Sequence, residues 1–358
     1  MSEDFRSLRA TPQWQSHLDI VEGLRVETPA LQLVVKEVTR IHLQVARRYD
    51  AQEPWSPTNR AKVEGLLVLG PSFSTKTHSI ATAMAELEPI RLHDGRVLEP
   101  NTLLMDAPDY GTMPALARDI IGRLDNATMA REPVPREANR KVMAALCRAK
   151  LTMFGLDWID RILSPDRHSA KGLVTESHLF WAQMMAAQTE PRWSTPVVLA
   201  GSSVVADTLS IQDGDPKQRK AREDALSRFN IVRLPSLQMD DTDFMVTTVQ
   251  TYCRELGLRV VNSLFEDNLA GRLVHASNYS VGTALVLAQE ACALAKIRPN
   301  SKGLKPSDFA DTYAAWSHCS DDSNPFTSPH WHNINTRRIA PRSFDEAKFA
   351  ASPAPFDH

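Results

Sequence analysis

The chain is poor in cysteine, has no long apolar run and carries no surplus of either charge. Its four cysteines, Cys147, Cys253, Cys292 and Cys319, lie far apart with no paired spacing. That excludes a disulfide framework or a zinc ribbon and suits reduced thiols in a cytoplasmic protein. No apolar stretch approaches the roughly 18 residues of a membrane span, and the mean hydropathy is -0.30. Lys+Arg 41 against Asp+Glu 43 leaves a formal charge of -2, so bulk basicity gives no argument for nucleic acid, although local basic faces stay open. The opening MSEDFRSLRATPQW lacks the charged, apolar and small-residue order of a secretory signal. No internal repeat, helix-turn-helix or zinc-finger pattern is found, so base-specific recognition is not supported. The expectation is a soluble, cytoplasmic globular protein without a membrane partner.

What is present divides by periodicity. Leu31, Val34, Val35, Val38, Ile41 and Val45 recur at helical steps over 30–48, with Lys36, Arg40, Arg47 and Arg48 mostly off that stripe. The basic face suits either solvent or a DNA or partner contact. Five compact apolar runs follow: Gly65–Gly70, Thr102–Asp106, Leu151–Asp157, Pro196–Gly201 and Asn230–Leu234. Continuous apolar runs suit strands covered on both faces. Helical stretches alternate with them at about 76–87, 112–125, 136–149, 176–189 and 216–228, which predicts a wound α/β domain with a five-stranded parallel sheet. Ligands of such sheets sit at the carboxyl ends of the strands. After Pro235 the pattern is helical over 242–262 and 280–297, with Ser280 a candidate N-cap. The expected organisation is an N-terminal helical segment over 1–50, an α/β nucleotide-binding domain over 51–237, a small all-helical lid over 238–318 and an extended tail over 319–358.

The first run leads into Gly70-Pro71-Ser72-Phe73-Ser74-Thr75-Lys76-Thr77. Set against the phosphate-binding pattern G-x-x-x-x-G-K-[ST], Gly70, Lys76 and Thr77 match, and Thr75 replaces the second glycine. The logic of that pattern is a nest of N–H donors at a helix N-terminus, a lysine on the β- and γ-phosphates and a hydroxyl on Mg²⁺. An ordinary strand–turn–helix is the plain alternative. The third run ends in Asp157, which suits a Mg²⁺ ligand opposite Thr77 or a cap of the next helix. A glutamate that polarises water belongs at the next position. Trp158 stands there, and an indole accepts no proton. Asp160, two residues on, is the weak candidate substitute. The fourth run ends in Gly201-Ser202-Ser203, where Ser202 suits a γ-phosphate sensor or a turn. Arg228 precedes the fifth run and suits either a finger reaching a neighbouring subunit's nucleotide or a surface ion pair.

The order of these parts resembles an AAA+ ATPase, and VVLAGSS over Val197–Ser203, LSRFNIVRLP over Leu226–Pro235, Val281-Gly282 and Asn324-Pro325-Phe326 are similar to the TniB/TnsC-type transposition proteins. The resemblance implies ATP and Mg²⁺ as ligands, held by Gly70, Ser74, Thr75, Lys76 and Thr77, with the metal on Thr77 and Asp157. It implies that Asp157, Ser202 and Arg228 act on the phosphates. It also implies a homo-oligomer on double-stranded DNA that recruits a transposase or recombinase. Thr75 and Trp158 depart from the family pattern, so slow or absent hydrolysis is expected. An active ATPase and a nucleotide-free scaffold are the alternatives. His318, Cys319, His330 and His332 fit no common zinc spacing. The Arg-rich segments 131–141 and 217–233 suit phosphate contacts or solvated helix faces.

Overall fold

Each of the five apolar runs forms a strand. The computed structural model describes residues 11–50, 63–71, 73–109, 112–125, 135–163, 170–189, 193–202, 205, 220, 223–224, 226–260, 265, 268–299 and 303–336. The chain divides into two compact units, Thr28–Pro235 and the pair of segments Met1–Glu27 and Ser236–His358.

The α/β unit contains strands β1 (Gly65–Leu69), β2 (Ile90–Arg91), β3 (Val97–Leu98), β4 (Thr102–Asp106), β5 (Met153–Asp157), β6 (Val197–Gly201) and β7 (Phe229–Arg233). Five of them make one sheet in the order β4-β5-β6-β1-β7, and every pairing in it is parallel. All residues of β1, β5 and β6 are buried. The reason is the alternation of side chains across a strand. Leu66 and Val68 join a core with Val34, Val38 and Ile41 of helix α2 (Pro29–Tyr49) and Ile80 of α3 (Lys76–Ala85). Leu67 and Leu69 face the other way, into a core with α4 (Met113–Asp125), α5 (Pro135–Ala149) and α7 (Ala170–Thr189). The short α6 (Asp160–Leu163) follows β5. Covering both faces with helices makes the strands apolar throughout. The antiparallel pair β2–β3 was not anticipated, being two residues per strand.

The helical unit is built from α1 (Pro12–Glu22), α8 (Thr242–Glu255), α9 (Leu269–Ala276), α10 (Val281–Ile297) and α11 (Pro306–Ser317). The Ser280 side chain accepts from Thr283 N and caps α10 as expected. Ala284, Ala288, Ala291 and Ala295 are fully buried on that helix, and their small size lets neighbouring helices approach.

The expected boundaries differ from these units in two places. The segment 1–50 is divided, because α1 gives Trp14, Leu18 and Val21 to the helical core while the stripe of α2 completes one face of the sheet. The tail is not extended over 321–336. Asn324 donates through Nδ2 to the Ala310 carbonyl at 2.9 Å and accepts from Phe326 N at 3.0 Å. Phe326 stacks on Phe309 with centroids 5.5 Å apart, and Arg272 donates to the Pro325 and Ser328 carbonyls at 2.6 and 2.8 Å. Residues 337–358 and most of the helix expected over 216–228 lie outside the described residues. No described helix is long and apolar enough to cross a membrane. Cys253 and Cys292, 39 positions apart, bring their thiols to 3.9 Å in the helical core.

Candidate functional site

Strand order sets the site. Because β6 lies between β1 and β5, the loop after β1 and the acid at the end of β5 face each other across the end of β6. The loop starts at Gly70, whose N–H donates to the Gly201 carbonyl at 3.2 Å. A Cβ on Gly70 would stand 2.6 Å from Ser74 Oγ, so a side chain there would force Ser74 to move. Ser74 is buried beneath the loop. Phe73 and Thr75 both take left-handed backbone, at φ 59° and 64°. Thr75 therefore holds the conformation for which glycine is suited, at a cost in strain, and leads directly into α3. Its hydroxyl donates to the Ser74 carbonyl at 2.6 Å.

Lys76 opens α3 and folds back over the loop. Its ammonium donates to the Gly70 carbonyl at 2.8 Å, the Pro71 carbonyl at 2.7 Å and Ser74 Oγ at 3.3 Å. Burial pulls its pKa below the usual lysine range, and the charges of Asp157 and then Asp160 act against that shift. Thr77 Oγ1 donates to Asp157 Oδ2 in a short hydrogen bond. The other carboxylate oxygen of Asp157 accepts from Trp158 N at 2.7 Å. Burial pushes the Asp157 carboxyl above its usual range, against Thr77, Trp158 N–H and Lys76, which favour the charged form. A hydroxyl and a carboxylate, both hard oxygen donors beside the N-terminus of α3, fit a Mg²⁺ that takes its remaining ligands from phosphate and water.

Trp158 has φ 57° and is 46% exposed. The Arg161 guanidinium lies 5.5 Å from its ring centroid, and Arg161 also donates to the Ala107 carbonyl at 2.7 Å and pairs with Asp109 at 3.0 Å. Asp160 turns the opposite way, to the end of β6. Its two oxygens accept from Ser202 N at 3.1 and 2.9 Å, and Oδ1 also accepts from Ser202 Oγ in a short hydrogen bond. The hydroxyl read as a phosphate sensor is thus bonded to the acid that the sequence offered only weakly.

The structure gathers Gly70, Ser74, Thr75, Lys76, Thr77, Asp157 and Ser202 at one edge of the sheet. Arg228 is not among them. Its carbonyl accepts from Gly65 N at 2.9 Å, at the amino-terminal edge. A five-residue strand at roughly 3.3 Å per residue separates the two edges by about 16 Å, beyond the reach of an arginine side chain. Arg228 is half-buried, and its Nε has no hydrogen-bond partner among the described residues. Among the described residues, no group of three or more His, Cys, Asp or Glu is placed to hold a metal, His318, Cys319, His330 and His332 included.

Neither protein-family models nor curated proteins match this chain.

Proposed function

We propose that the α/β unit binds a nucleoside triphosphate, ATP by resemblance, with Mg²⁺ at the loop 70–77, and turns it over slowly or not at all. The observation that carries this reading is the meeting of Thr77, in the first turn of the helix that follows β1, with Asp157, at the end of the non-adjacent strand β5, beside a lysine folded over a closed loop. The strand order, the two hard oxygen donors and the helix N-terminus support it together. Trp158 in place of a carboxylate removes a general base, a loss commonly of about a hundredfold to ten-thousandfold in rate. Nucleotide then serves as a ligand that favours one state over another.

The wider role rests on the resemblance to AAA+ proteins of the TniB/TnsC type: a homo-oligomeric, DNA-associated adaptor in transposition that selects a target or recruits a transposase. The position of Arg228, usable only between subunits, agrees with an oligomer. The test is calorimetric titration with Mg-ATP beside Lys76→Ala. Binding that the substitution abolishes supports the reading. Absence of binding at millimolar nucleotide would leave a scaffold built on a retired site. Duplex DNA association is tested by electrophoretic shift across salt, and no shift even at low ionic strength refutes it.

A further inference from the structure

Two carboxylates, not one, act on Lys76, and the established pattern of the loop uses only Asp157. Asp157 is occupied on the metal side, bonded to Thr77. Asp160 is held at the junction of β5 and β6, where Ile159 N donates to the Ala200 carbonyl at 3.1 Å and locks the two strand ends together. The Ser202 N–H is shared between both oxygens of Asp160, and the Ser202 hydroxyl goes to Oδ1. A carboxylate has about four lone-pair sites. These donors take three of them and leave one on Oδ2. The neighbouring cation does not take it, because Arg161 is turned to Ala107, Asp109 and the Trp158 ring. A base oriented by a third group is the arrangement that proton abstraction needs.

The geometry points to Asp160 as the carboxylate that orients and deprotonates the attacking water in this chain, with Ser202 as its positioning residue. The inference rests on the nucleotide reading of the loop. In the step, a bond forms between the water oxygen and the γ-phosphorus. The bond from that phosphorus to the β,γ-bridging oxygen breaks, and the diphosphate leaves with the electron pair. The water's proton passes to Asp160 Oδ2 and is then released to solvent. A base set two residues along the chain from the usual position, with its carboxylate partly committed to Ser202, accounts for slow turnover.

The full-length protein, with Mg-ATP, is compared as wild type, Asp160→Asn, Ser202→Ala and Lys76→Ala. Nucleotide binding is read by calorimetry and phosphate release over pH. Asp160→Asn retains an oxygen that accepts from Ser202, so the strand junction is preserved. We expect wild-type release to exceed that of Asp160→Asn by about a hundredfold or more, with dissociation constants within about threefold of each other. Ser202→Ala is expected to fall between them. Equal rates in the two proteins while both bind nucleotide, including the case of no release by either, overturn the role of Asp160 alone. Failure of the wild type to bind Mg-ATP overturns the nucleotide reading and this inference with it.

Discussion

Thr75 is where the loop's chemistry can be tested by stability alone. A β-branched residue at φ 64° is strained by roughly 1–2 kcal/mol relative to a right-handed position. Thr75→Gly relieves that strain but loses the hydroxyl bond to the Ser74 carbonyl, worth about 0.5–1.5 kcal/mol. Glycine also costs about 0.5–1 kcal/mol in chain entropy. The sum lies near zero, so Thr75→Gly should leave stability close to wild type. Thr75→Ala loses the same hydrogen bond, keeps most of the strain and has no glycine cost. Alanine should therefore be less stable than glycine by about 0.5–1 kcal/mol, the reverse of the usual order inside a helix. With a denaturant slope of about 2 kcal/mol/M, that is a difference of roughly 0.3–0.5 M in urea midpoint, read by far-UV circular dichroism. A midpoint for alanine equal to or above that for glycine would refute the left-handed assignment and the argument that Thr75 mimics a glycine. On the nucleotide reading, Thr75→Gly should also tighten Mg-ATP binding, because it removes a Cβ beside the phosphate loop.

Three further outcomes follow from buried polar groups. Asp308 is fully buried and ion-paired with Arg298 at 2.6 Å, and burial, against that pairing, pushes its pKa up to about 6. Arg298→Ala should cost the helical unit about 3 kcal/mol at pH 7.5 and less at pH 5, where Asp308 is protonated; a penalty independent of pH would refute this. His42 is buried, with Nε2 on the Glu88 carbonyl at 3.1 Å and Nδ1 without a partner among the described residues, and burial lowers its pKa despite that carbonyl. Its neutral form is favoured on folding, so its contribution is complete above the unfolded value of about 6.5 and declines as pH falls through that value toward the lower folded one. Urea midpoints of wild type and His42→Gln at pH 7.5 and 5.5 should show the larger acid loss in wild type. Gln188 is fully buried with neither amide atom hydrogen-bonded among the described residues, so Gln188→Met should stabilise the α/β unit by about 1–3 kcal/mol, and a loss of stability on thermal melting would contradict that.

The sheet was legible because burial on both faces writes an uninterrupted apolar run in β1, β5 and β6 and the more exposed edge strands β4 and β7 are also mostly apolar, so each of the five strands lies within two residues of its run. The loop stood out because Gly70, Lys76 and Thr77 keep the spacing of a phosphate-binding pattern. What escaped had no such mark. Helix α11 begins at Pro306 with Asp308 accepting from Lys305 N at 2.8 Å, a start signal readable once the helix is known but set in a polar stretch. The packing of 321–336 depends on Asn324 and Arg272 finding carbonyls far away in sequence, which leaves no local period. The strand order is likewise non-local, and it decides which side chains meet.

That order changes how the candidate residues must be weighed. Spacing along the chain treats Asp157, Trp158 and Asp160 as successive positions in one motif, with the acid nearest the metal residue the natural base. In the folded chain β5 ends beside β6, and the three side chains part: Asp157 toward Thr77, Trp158 into solvent with Arg161, and Asp160 onto Ser202. An indole at 158 therefore does not leave this edge of the sheet without carboxylates, since the charges of Asp157 and Asp160 both act on Lys76. Arg228 moves the opposite way. Its adjacency to the fifth run suggests membership of the site, yet parallel strands place the residue before a strand at the edge opposite the residue after one. A single chain of this topology holds the loop 70–77 at one edge of its sheet and Arg228 at the other, so on the nucleotide reading the two would meet only across a second copy.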